Sequence, residues 1–218
     1  MPMQDAPRLL RGAIVAIDAL NPPPKVIAFQ YNPDSLSRTL QVQGASDGDR
    51  SDAQRLVRAA VETLKVDLEL DAEDAGARDD VVAATLGVHP QLAALESLVH
   101  PAVQRVRAAV ALAATGTLEV IPPSPVMTLF VWGARRVLPV RVTDFSVVEE
   151  AYDAALNPIR AKVSLGLRVL SYDDLPPTHA GHHLFIAHQI ALEALARGAV
   201  VVGLERSLGA DLTLLPTV

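Results

Sequence analysis

The chain has no cysteine, which excludes disulfides and thiolate metal sites and fits a reducing compartment. Basic charge is also short: 19 Lys and Arg stand against 25 Asp and Glu, for a formal net charge of -6. Phosphate backbones are neutralised by clustered Lys and Arg, so nucleic-acid binding is not expected. The most apolar stretch, around Val106 to Thr117, is interrupted by Arg107. It falls short of the roughly 20 residues that span a bilayer. Met1 to Arg11 carries Pro2, Asp5 and Pro7, where a secretory leader needs a basic end followed by an apolar run. The expectation is a soluble protein made in the cytoplasm, with no direct membrane insertion. Gly-x-Ser-x-Gly, glycine-rich phosphate loops and His-Glu-x-x-His are all missing, so no catalysis and no cofactor are expected.

What is present is enough for a core. Half of the 218 residues are hydrophobic and 20% are charged, the composition of a folded chain of about one domain. Leu9 to Leu20 is an aliphatic run ended by Asn21 and three prolines, which forbid both helix and ladder. Lys25 to Tyr31 has strand composition, Asn32-Pro33-Asp34-Ser35 is turn chemistry, and Leu36 to Val42 alternates as a strand. Gly44 to Asp52 reads as a loop. Val61 to Leu70 is the cleanest period-two pattern, with Leu64, Val66, Leu68 and Leu70 on one face and Lys65, Asp67 and Glu69 on the other.

His89 to Thr115 turns helical, with Pro101 dividing it into two short helices. After the stiff Pro122-Pro123-Pro125 lead-in, Val126 to Gly133, Val137 to Phe145, Val147 to Tyr152 and Ile159 to Leu170 read as extended segments joined by short turns. Gly181 to Arg197 reads as a helix with Leu184, Ile186, Ala187, Ile190, Ala191, Leu192 and Leu195 on its apolar face and Gly198 as its stop. The class is therefore α+β, mainly β: an antiparallel barrel or sandwich with flanking helices and a C-terminal helix. The division expected is a β domain over 1–175 with a helical insertion near 89–115, then a helical extension over 176–218.

Two polar clusters invite a chemical reading. His179, His182, His183 and His188 have spacings that bring imidazoles to one helical face, as a zinc or nickel site requires. No carboxylate lies between Thr178 and Gln189, and capping and packing histidines explain the group without a metal. Asp67, Glu69, Asp71, Glu73, Asp74, Asp79 and Asp80 lack the EF-hand order of ligands. They read as a wet strand face running into a loop, a face that in a ring could line the lumen. Trp132, the only tryptophan, falls in a strand, and Trp132→Ala is expected to cost about 3–5 kcal/mol if the ring is buried.

Four segments, Phe29 to Arg38 (FQYNPDSLSR), Val66 to Asp74 (VDLELDAED), Phe130 to Gly133 (FVWG) and Leu156 to Leu165 (LNPIRAKVSL), occur in this order. Together they resemble the tube-like baseplate proteins of contractile injection systems, relatives of phage tail tubes. The matching residues are Phe29, Tyr31, Asn32 and Pro33; Leu68, Leu70 and Asp71; Phe130, Trp132 and Gly133; and Pro158, Ile159, Arg160, Ala161, Val163 and Leu165. The resemblance spans roughly Ala13 to Ser171. It implies a tube-type β fold and a structural role as a homo-oligomeric ring, a hexamer, at the baseplate. Such a ring initiates the inner tube or adapts it to the spike, with inner tube, spike and other baseplate proteins as partners. A reading from another class is a small β module that binds a ligand or metal through His179 to His188.

Overall fold

A computed structural model of the chain describes residues 10–18, 23–43, 58–73, 85–114 and 126–208, with side chains through Arg197. The loop expected at Gly44 to Asp52, the acidic residues from Asp74 to Asp80, the Pro122-Pro123-Pro125 lead-in and the tail beyond Leu208 lie outside these residues. Seven strands are found: β1 (Ala13–Ile17), β2 (Lys25–Ala28), β3 (Leu36–Gln41), β4 (Val61–Asp71), β5 (Met127–Val131), β6 (Val137–Tyr152) and β7 (Pro158–Val169). They form one antiparallel sheet in the order β2-β1-β5-β6-β7-β4-β3. Among the described residues, it is accompanied by the helices α1 (His89–Glu96), α2 (Val103–Ala114) and α3 (Ala180–Leu208).

The mainly-β α+β class read from the sequence is the class observed. Closure into a barrel is not: the sheet is open, and among the described residues no strand lies outside β2 or β3. Two further expectations change. Val137 to Phe145 and Val147 to Tyr152 are one strand, β6, kept continuous by bulges at Val142/Asp144 and near Glu149 to Tyr152, which let a long strand bend without breaking. Gly198 does not stop the last helix, which runs on to Leu208. A glycine inside a helix costs only about 1 kcal/mol, and the Ala- and Leu-rich sequence around it absorbs that.

One face of the sheet is the core. Along β4 the pattern alternates strictly, with Glu62, Leu64, Val66, Leu68 and Leu70 buried and Thr63, Lys65, Asp67 and Glu69 exposed. β7 adds Ala161, Val163, Leu165, Leu167 and Val169 to the same face, opposite β4 in register. Val88, Leu92 and Leu95 of α1 and the segment before it cover this face at one end. The approach of α1 depends on Gly87, whose φ is +59°. A Cβ there would strike the Pro158 carbonyl oxygen, the same oxygen that accepts the Val88 N–H at 2.8 Å. Only glycine fits such a left-handed position against backbone. Phe185 of α3 joins the core from the other side, edge-on to Tyr172 at 5.8 Å.

Candidate functional site

The motif residues converge on the core and on one end of β4, and each has a structural task. Phe29 and Phe130 are buried, and Trp132, half-buried, stacks on Phe130 at 5.9 Å and tilts against Phe29 at 6.4 Å. This trio closes over Gly12, where a Cβ would come within 2.7 Å of the Phe29 ring and 2.8 Å of Trp132. The Asn32 side chain fixes the same strand: its Oδ1 accepts the Gly12 N–H and its Nδ2 donates to the Leu10 carbonyl, both at 2.8 Å. Phe29 N–H donates to the Gly12 carbonyl. An Asn-Pro turn thus anchors the entry to β1 by side-chain mimicry of a strand partner. Pro33 is half-buried in this turn and Tyr31 is exposed beside it.

Gln30, which carries no motif signal, couples this turn to β4. Its amide donates to the Asp71 carbonyl at 2.6 Å and accepts the Asp71 N–H at 2.9 Å. The Asp71 carboxylate then receives Arg160 through Nε at 2.9 Å and Nη2 at 2.7 Å. These two residues are direct cross-strand partners, as opposite charges prefer. Leu68 and Ala161 pack in the core, Pro158 is fully buried, and Gly133 turns the chain between β5 and β6 with φ +70°. Phe29, Asn32, Leu68, Asp71, Phe130, Trp132, Gly133, Pro158, Arg160 and Ala161 therefore hold the fold together; Tyr31 lines an outer groove of about 580 Å³ with Asp67, Glu69, Ser146, Lys162 and Ser164.

Two predictions arise here. Asn32→Ala removes two strand-anchoring bonds and is expected to lower stability by about 1–2 kcal/mol. Urea unfolding checks this, with exposed Asp34→Ala expected to stay within about 0.5 kcal/mol of the parent. The second concerns acid. The N–H of Glu73, and after it Arg160, hold the Asp71 carboxyl below the ordinary carboxylate range. A folded-state value below the unfolded one stabilises above the unfolded pKa, about 3.9, and the contribution fades as pH falls through the lower value. The urea midpoint of the parent should therefore drop more steeply than that of Asp71→Asn below about pH 4.

The face of the sheet opposite the core is polar and paired. Lys162 donates to Glu150 at 2.8 Å, Ser164 to Asp67 at 2.6 Å, and Arg168 to Asp174 at 2.7 Å. In register, Lys162 and Arg160 of β7 lie across from Glu69 and Asp71 of β4, so the face is mixed in sign. Exposed pairs of this kind contribute little to stability and set the register instead.

The two edges differ from this face. β2 leaves Val26 64% exposed and β3 leaves Leu40 49% exposed. No side chain of α2 is buried, with Val103 and Val110 each 64% exposed. Large apolar groups at a free sheet edge mark an aggregation hazard unless a partner covers them. One guard exists: on β3, Arg38 points inward and clasps Glu62 of β4 through Nε at 2.5 Å and Nη2 at 3.2 Å.

The histidine group divides. His179 Nδ1 accepts the Gly181 N–H at 3.0 Å, His182 Nδ1 meets the Leu175 carbonyl at 3.1 Å, and His183 is exposed. His188 is buried on another side of the helix. Among the described residues, no three His, Cys, Asp or Glu side chains converge as a metal would need. No described helix is long and apolar enough to cross a membrane. No family model matches the chain, and no curated protein matches it.

Proposed function

We propose that the chain is a structural, non-catalytic subunit of a contractile injection apparatus, a ring at the baseplate that adapts or initiates the inner tube above the spike. The observation that carries this reading is the open antiparallel sheet with an accessible strand at each end and apolar side chains on both edges. Support comes also from the motif residues: dispersed in sequence, they meet as fold determinants, which is what a resemblance at the level of fold requires. A cyclic ring needs two different, complementary patches on each subunit, and β2 on one copy with β3 on the next supplies such a pair. Specific interfaces of this kind bury about 800 Å² per partner.

Sedimentation of the purified chain, alone and mixed with inner-tube protein, tests the reading. The parent is expected to self-associate or co-assemble, and the Val26→Lys/Leu40→Lys double variant to stay monomeric with an unchanged far-ultraviolet spectrum. A parent that remains monomeric in both settings contradicts the proposal.

A further inference from the structure

α3 is held to the sheet by a narrow seam. Of its residues through Arg197, only Gly181, Phe185 and His188 are buried. Gly181 sits against Leu175 and Pro139, and Phe185 meets Tyr172. The spacing of these three continues along the helix into Leu192 and Leu195, yet those two are 40% and 51% exposed. The stripe outruns the surface it packs on, and His188 is the last group of the seam.

The seat of His188 suits a neutral ring and not a charged one. The residue is 9% exposed and its Nδ1 is buried with no hydrogen-bond partner; the bond from the ring to the Arg135 main chain works the other way. Three charged groups face it: Glu62 from β4, Arg38 from β3 and Arg136 from the β5–β6 turn. Glu62, the one anion, is already clasped by two nitrogens of Arg38. A proton on the imidazole would therefore add a third positive charge beside a carboxylate that is already paired, and a buried charge without a partner is costly.

We propose that His188 is a pH-sensitive latch: α3 stays seated while the imidazole is neutral, and protonation releases it from the sheet and uncovers Phe185, leaving the stripe open from Phe185 to Leu195. Burial, above all, and then Arg38 and Arg136 push the ring's titration below the ordinary histidine range, against the pull of Glu62 and of the Arg135 main chain. The sign follows. The released ring titrates near the ordinary value, about 6.5, so seating is at full strength above that pH and weakens below it. One linked proton changes the equilibrium by at most about tenfold per pH unit.

Hydrogen exchange of the full chain, corrected for intrinsic rates and compared at about pH 7.5 and about pH 5.5, tests the latch. The parent is expected to lose about tenfold of the protection in the first half of α3 at the lower pH, while β7 keeps its own. His188→Gln is expected to remove this pH response, and a His179→Gln/His182→Gln/His183→Gln variant to retain it. If His188→Gln loosens α3 even at the higher pH, nuclear magnetic resonance of the parent decides: His188 titrating together with the loss of protection supports the latch. Equal protection of the parent at both pH values, a response that persists in His188→Gln, one abolished in the triple variant, or titration of His188 with α3 still seated overturns it.

Discussion

Phe130→Ala is expected to lower the free energy of unfolding by about 3–5 kcal/mol, the cost of removing a fully buried aromatic ring from a packed core. Phe130 is 0% exposed and packs against both Phe29 and Trp132, so its loss leaves a cavity lined by two rings. Trp132 is only half-buried, and Trp132→Ala should cost about half as much because water already reaches one side of the indole. This reverses the order that the tryptophan's size suggests. Urea unfolding followed by circular dichroism measures both. A Phe130→Ala variant within about 1 kcal/mol of the parent would mean that the aromatic trio is not part of the core.

Gly87→Val is expected to cost about 3 kcal/mol or more. The backbone at Gly87 is left-handed, a conformation that strains a β-branched residue by about 1–3 kcal/mol. The added Cβ also lands on the Pro158 carbonyl, which forfeits its bond from Val88. Losing a buried hydrogen bond adds about 1–3 kcal/mol. Gly133 is the internal control, since its φ is also positive, +70°, but a Cβ there meets nothing within 4 Å. Gly133→Asn should therefore be tolerated to within about 1 kcal/mol, asparagine being at ease in this region. Equal losses for the two variants, read from urea midpoints, would show that backbone conformation alone sets the cost and that α1 does not rest on Pro158.

Much of the sheet was legible because its strands have one wet and one dry face. β4 alternates without exception, and period two survives in a single sequence wherever one side is solvent. Pro101 separates α1 from α2 as expected, because proline cannot continue the preceding turn. The inward side of α3 was not legible. Through Arg197 its buried residues are Gly181, Phe185 and His188, whereas Ile190, placed on the apolar face, is 59% exposed. Those buried residues lie in the first part of that helix, so apolar residues farther along give no sign of what the helix packs on.

The ties made by polar side chains were hidden for a related reason. Glu62 sits on the buried face of β4, and nothing in its own segment marks it as partnered; Arg38 is 24 positions away. Gln30 clamps the backbone of a residue 41 positions on. Pairings at that separation depend on strand order, which alternation does not encode. The open sheet has the same origin: period two tells which side is dry, and it is silent on whether the first and last strands meet.

The central claim is that the free rims of this sheet are joined between copies of the chain, β2 of one to β3 of the next. Because the chain has no cysteine, a Lys25→Cys/Leu40→Cys variant, whose two positions lie on the same face of the sheet, gives an unambiguous readout under mild oxidation. Non-reducing electrophoresis should show a ladder of disulfide-linked multimers that ends in a closed species, while either single variant, whose thiol faces a neighbour without one, stays monomeric. A double variant that remains monomeric, at concentrations where the parent sediments as an assembly, would contradict the account.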